Sequence, residues 1–237
     1  MDISVATKKN EKSDCMAPFL TDCNLIGKKH AIVAAGMILG CIPFLILGTI
    51  SGGLISLCLA LCNVTDSLYR RIPNRYSYSA ILLGLLLNAF GSLLSRWFSA
   101  SQLSFLGTVG ISQSLFGAGV CFSTMFLIYC LSHGKSGAGD VKLAAALGAF
   151  FGPVGGVSIL AWCHILAACW TVVILVTRMG PAAFCLCLAR HLCSWLLPGM
   201  ILPPKKTIGR YCRFSVPLAV FFTLGVCIAS LGGIFRW

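Results

Sequence analysis

Acidic residues are scarce in this sequence. Six stand among 237 residues, at Asp2, Glu11, Asp14, Asp22, Asp66 and Asp140. Past residue 22 the chain offers two carboxylates, so any carboxylate chemistry in its body must use Asp66 and Asp140 together. Charge of either sign is also thin: 10% of residues are charged and 58% hydrophobic, where soluble domains carry about 25% charged residues. Short alternating apolar segments are missing, which argues against a transmembrane barrel. Fourteen cysteines are present, yet no Cys-x-x-Cys spacing occurs, so a structural zinc site is disfavoured. Most of them (Cys41, Cys58, Cys62, Cys121, Cys130, Cys163, Cys169, Cys227) lie inside apolar runs, where a thiol behaves as a small hydrophobe. No basic stretch carries an aromatic stacking platform, so the net charge of +12 does not argue for nucleic acid. Gly134-Lys135-Ser136 is not a phosphate loop, because Tyr129 stands where its first glycine belongs. A cleaved signal peptide is disfavoured: the apolar sequence begins too late and lacks a clean small-residue cleavage site.

What is present is a series of apolar runs of roughly 20 residues, the length that crosses a bilayer. They predict an all-α, polytopic membrane helical bundle of about six crossings, or seven. Residues 1–30 read as a polar, partly disordered cytoplasmic tail, and residues 31–237 as a single membrane-embedded domain. Ala31–Cys62 would make roughly 48 Å of helix, well over a bilayer core of about 30 Å. It is either one tilted helix or a helix broken near Gly48-Thr49-Ile50-Ser51-Gly52-Gly53. Crossings are expected over Tyr76–Leu94, Leu103–Leu131, Val157–Val176 and Ser215–Ile234. The stretch from Asp140 to Phe151 is short and ends at Gly152-Pro153. Gly148 and Gly152 form a small-xxx-small pair that lets a neighbouring helix approach. Residues 178–213 are basic, and Phe184–Leu197 reads equally as an interfacial helix or a loop.

Loop charge orients the bundle. With the Asp66 side cytoplasmic, that face holds Arg70, Arg71, Arg75, Lys135, Lys142, Arg178, Arg190, Lys205, Lys206, Arg210 and Arg213. The far face holds Arg96 and Arg236. Positive residues collect on the cytoplasmic side, so both aspartates fall there by an argument that assumes no catalysis.

Asp140 closes Gly137-Ala138-Gly139-Asp140, where the chain enters a long apolar run. A carboxylate at such a boundary is a functional candidate, and glycines around it let another backbone come close. Asp66 precedes Ile72-Pro73-Asn74. Pro73 keeps Ile72 out of the α region, so Asp66 lies near a helix C-terminus, an unfavourable place for an anion. Arg70 and Arg71 offset part of that cost, and they read as topology residues ahead of substrate contacts. Two carboxylates held close share one proton and titrate as a unit. The ionised member can take a proton from water while the other hydrogen-bonds a scissile carbonyl. The sequence leaves open which acid plays which role. Lys142 reads equally as a topology anchor or as support for the pair. His164 reads as a packed histidine. A competing assignment is an ion-coupled transporter, which also places acids near helix breaks. No internal inverted repeat supports it, and both acids flank loops.

Asp-Ser-Leu-Tyr-Arg-Arg-Ile-Pro-Asn (66–74), together with Gly-Ala-Gly-Asp-Val-Lys-Leu-Ala-Ala-Ala-Leu-Gly (137–148), resembles the type IV prepilin peptidases, membrane aspartic proteases of the GxGD class. The resemblance spans about Leu54–Phe151, and Ser215-Val216-Pro217 before the last helix also fits. Presenilin-like proteases share Gly-x-Gly-Asp but not the Ile72-Pro73-Asn74 context. The resemblance implies that Asp66 and Asp140 are the catalytic pair. Gly137, Gly139, Lys142, Ile72, Pro73, Asn74 and Arg71 are motif or supporting residues, and neither metal nor cofactor is required. It implies prepilin or pseudopilin substrates, cut after a Gly at the cytoplasmic face of a bacterial inner membrane, in pilus or type II secretion assembly. The bilayer is the other partner, and nucleic acid is not one. Longer members carry a four-cysteine insert and N-methylate the new N-terminus. Here only Cys15 and Cys23 precede the first helix, so the chain resembles the short, peptidase-only members.

Overall fold

A computed structural model describes residues 17–69, 72–133, 137–196 and 217–233. Hydrocarbon offers backbone groups no water, so apolar runs satisfy their own hydrogen bonds as helices. The order is α1 (Ala17–Leu47), α2 (Ile50–Tyr69), α3 (Asn74–Leu94), single-turn α4 (Ala100–Leu103), a 3-10 turn (Ser104–Leu106), α5 (Ile111–Leu131), α6 (Ala138–Met179), α7 (Pro181–Leu196) and α8 (Leu218–Leu231). No strand occurs among the described residues. Among the described residues, five stretches are long and apolar enough to cross a membrane: Lys29–Leu47, Ile50–Tyr69, Asn74–Leu94, Ser101–Leu131 and Ala138–Met179. Large apolar side chains such as Leu45, Leu86, Phe116, Leu127 and Val173 face outward, more than a soluble monomer leaves exposed. The protein is a multi-pass, all-α membrane bundle.

The first apolar run is broken, as one of its two readings required. Gly48 has φ +60° and, with Thr49, separates α1 from α2; Thr49 Oγ1 then accepts the Gly52 N–H at 3.1 Å. Three boundaries differ from the sequence reading. α1 begins at Ala17, ahead of the apolar run, because a helix once nucleated extends at little cost per residue. The Leu103–Leu131 run is not one rod: positive φ at Gly107 and Gly110 delays the crossing to Ile111. α8 has 14 residues, about 21 Å of helix, shorter than the expected Ser215–Ile234 crossing; Ser215 and Ile234 themselves lie outside the described residues. Phe184–Leu197 resolves as helix over Pro181–Leu196, with Pro181 at the first position, where no N–H is needed.

α6 is the central element, packed on α5, α8 and α3. Its 42 residues do not form one rod. Gly152 has φ 71° and ψ −176°, a region populated essentially by glycine, and Pro153 follows without an N–H to donate. A Cβ on Gly156 would lie 3.0 Å from the Gly148 Cα, so the chain reverses at Gly152 and its two arms run side by side. The expected turn at Gly152-Pro153 is therefore a hairpin of helices. α5 presses into it: a Cβ on Gly148 would lie 2.6 Å from the Gly117 carbonyl carbon, and one on Gly117 2.5 Å from the Gly152 carbonyl carbon. Nearby, the Asn88 amide donates to the carbonyls of Gly84 (2.9 Å) and Ala149 (3.0 Å) and accepts the N–H groups of Val109 (2.8 Å) and Gly110 (3.2 Å). One buried side chain thus pins the turn before α5 to the end of the first arm. Ile55, Leu59, Met125, Leu143, Leu147, Phe150, Ile159 and Phe222 fill the core between these helices.

Gly117→Val should lower stability by about 1–3 kcal/mol, the usual cost of overpacking. Gly119→Val should cost far less, because no atom lies within 4 Å of a Cβ there. Thermal unfolding of the two variants in one detergent checks the difference.

Candidate active site

One end of the bundle gathers the last turn of α2, the link into α3, and the N-termini of α6 and α8. Asp66 sits in the last turn of α2 and is 8% exposed. Its own helix presents carbonyls there, which repel an anion. The offset comes from another helix. Ala219, in the first turn of α8, donates its N–H to Asp66 Oδ2 at 3.2 Å. Pro217 caps α8 in an extended conformation, leaving first-turn N–H groups unpaired within their own helix and suited to an anion.

Asp140 sits in the first turn of α6 and is half-buried. Its Oδ2 accepts the Gly137 N–H at 3.2 Å, and its own N–H donates to the Gly137 carbonyl at 3.0 Å. A Cβ on Gly137 would lie 2.9 Å from that same Oδ2, so a side chain there would displace the carboxylate. The Asp140 and Asp66 carboxylates lie within electrostatic range of each other. Both acids thus meet N–H groups at helix N-termini, one at the cap of its own helix and one in the first turn of a neighbour. A pair that shares a proton can accept and donate in the same event.

The two motifs dock on each other. A Cβ on Gly139 would lie 2.9 Å from the Ile72 Cβ, so the bare glycine is what admits the link. Pro73 precedes α3 with φ −63° and ψ 135°. Asn74 Oδ1 accepts a hydrogen bond from Lys142 Nζ at 2.7 Å, and the same ammonium stands 4.7 Å from the centre of the Tyr78 ring, a cation–π distance. Lys142 therefore ties the start of α6 to the start of α3. Asp66, Ile72, Pro73, Asn74, Gly137, Gly139, Asp140 and Lys142 all fall at this one end. Arg71, with Arg70 and Lys135, lies outside the described residues.

Several neighbours were not singled out from the sequence. The buried thiols of Cys62 and Cys163 lie within electrostatic range of Asp140, and Cys62 also of Asp66. Asn63 and Thr223, both fully buried, pair across α2 and α8 one turn deeper than Asp66. A lone amide and a lone hydroxyl inside apolar runs were the available signal for these two. His164 instead bonds the Leu160 carbonyl of its own helix at 2.7 Å. Among the described residues, no three His, Cys, Asp or Glu side chains converge as a metal would need.

The sequence profile of a family described as the type IV leader peptidase family matches residues 53–172. That range holds both aspartates, the Ile72-Pro73-Asn74 link and the α6 hairpin. No curated protein and no solved structure matches the chain.

Lys142→Met keeps the apolar stem and removes the charge. A hydrogen bond to a charged group contributes about 1.5–3 kcal/mol. Amide exchange at Ile72, Asn74 and Arg75 should therefore quicken by roughly tenfold or more, read by hydrogen-exchange mass spectrometry.

Proposed function

The chain belongs to the type IV leader peptidase family, and from that premise we propose that it is a membrane aspartic endopeptidase that removes the basic leader of prepilins or pseudopilins. One observation carries the reading. The two carboxylates that the chain offers past residue 22 stand at the same end of the bundle and within electrostatic range of each other. A peptidase needs a base to activate water and an acid to polarise the carbonyl, and no other acidic side chain is available in the body of the chain.

In this mechanism the ionised aspartate takes a proton from water as the oxygen attacks the scissile carbonyl carbon. The protonated partner gives its proton to the carbonyl oxygen. The tetrahedral intermediate collapses as the amine leaves with a proton returned from the pair, and no metal or cofactor takes part. N–H groups at Gly137 and Ala219 hold the two carboxylates in register, so little reorganisation accompanies the reaction. The leader approaches from the cytoplasm, while the apolar pilin helix lies in the bilayer beside the bundle. The orientation follows from loop charge, and the assembly served is a pilus or a type II secretion pseudopilus.

Membranes carrying the wild type should cleave a substrate with a basic leader and a Gly before its apolar helix. Asp66→Asn and Asp140→Asn, at matched folded amounts, should each lose roughly a hundred- to ten-thousandfold in rate, the span of a lost general acid or base. Activity persisting in either variant would sink the two-aspartate mechanism. Ion flux that survives one substitution would favour a carrier.

A further inference from the structure

Asn63 and Thr223 are polar side chains set where helix packing alone would choose apolar ones. Both are fully buried. The Asn63 amide donates to Thr223 Oγ1 at 2.9 Å. That hydroxyl in turn reaches the Ala219 carbonyl, one turn back in α8, at 3.1 Å. Ala219 is the residue whose N–H meets Asp66. The contacts form a two-rung ladder between antiparallel helices. Asn63 faces Thr223 on the inner rung, and Asp66 faces Ala219 on the outer.

The outer rung alone does not fix the helices. A backbone N–H has no side-chain shape, and α8 is a short helix of 14 residues, so a single bond to its first turn leaves its register to the contacts deeper in the bundle. A Cβ on Gly225 would lie 2.8 Å from the Ile159 carbonyl, which sets how closely α8 approaches α6. The inner rung is directional. Turning α8 or sliding it along α2 would bury the Asn63 amide without a partner, an expensive state in an apolar interior. The amide–hydroxyl pair thus converts a soft apolar contact into one preferred register.

We infer that Asn63 and Thr223 are positioning residues that hold the α8 N-terminus in register so that the Ala219 N–H meets Asp66. Neither touches the reacting atoms. The inference rests on the leader-peptidase reading for its catalytic consequence but not for its geometry. A small displacement of a positioned group lowers turnover more than binding when the group acts in the chemical step.

The test uses the full chain in proteoliposomes. Thr223→Val keeps the shape and removes the hydroxyl; Thr223→Ser keeps the hydroxyl; Asn63→Leu removes the amide. Thr223→Val and Asn63→Leu should lower kcat roughly tenfold while KM stays within about twofold. Thr223→Ser should recover most of the loss. The double variant should be little worse than either single change, since both break one contact. A second readout needs no substrate: the amide resonance of Ala219 in isotope-labelled protein. It should move in Asp66→Asn and in Thr223→Val, and stay near its wild-type position in Thr223→Ser. An unmoved Ala219 resonance in Thr223→Val would overturn the inference, as would wild-type kcat in that variant. A role confined to stability would lower the folded amount of Thr223→Val but leave kcat per folded enzyme unchanged. Should the wild type cleave no leader substrate, the peptidase reading falls, and the amide spectrum still decides the positioning claim.

Discussion

Holding two carboxyl groups at the edge of an apolar bundle is the constraint that organises this molecule. Carboxylates in such surroundings are costly unless hydrogen-bonded, and the body of the chain contains only Asp66 and Asp140. Each meets an N–H at the N-terminus of a helix, that of the cap residue Gly137 for Asp140 and that of Ala219 for Asp66. The fold therefore has to bring two helix starts and one helix end to the same place. That requirement accounts for the course of the chain better than core packing alone. α2 must end near the site, α6 must begin there, and α8 must return to it from a remote part of the sequence.

Glycine makes the return possible. The reversal at Gly152 folds α6 into two arms, with α5 seated against them through Gly117 and Gly148. The first arm starts at Asp140; the second carries Cys163 back to within electrostatic range of that acid and contacts α8 at Gly225. At the site, Gly137 and Gly139 leave space for the Asp140 carboxylate and for Ile72 respectively. Small residues thus do two jobs here: they permit close helix contact in lipid, where van der Waals packing drives association, and they admit polar groups next to backbone.

Much of the architecture was legible because hydrophobic length is a strong signal. The helical bundle and the end of the first α6 arm at Gly152-Pro153 follow from apolar runs and from residues with restricted or special backbones, whereas the break near Gly48 is one of two readings that length alone leaves open. The two aspartates stood out by subtraction, and the paired motifs pointed to the family that the profile also matches. What escaped was what holds the acids. One partner supplied to Asp66 is a backbone N–H at Ala219, and no residue type advertises a backbone donor. Lys142 reads two ways in the sequence, and its contacts to Asn74 and Tyr78 join positions far apart in it. Helix ends were displaced for a related reason. Ala17–Lys28 carries little apolar signal yet continues α1, whereas Leu103–Gly110 is apolar but is bent by Gly107 and Gly110.

The central claim is that Asp66 and Asp140 act on one reacting carbon as a unit. It is tested most directly by binding of a leader peptide whose scissile amide is replaced by a hydroxyl-bearing isostere of the tetrahedral intermediate. Mimics of a transition state bind at least about a hundredfold more tightly than substrates when the groups that stabilise it are in place. The account predicts tight binding to the wild type in proteoliposomes and a comparable, large loss of affinity in Asp66→Asn and in Asp140→Asn. Equal affinity for all three proteins would contradict it.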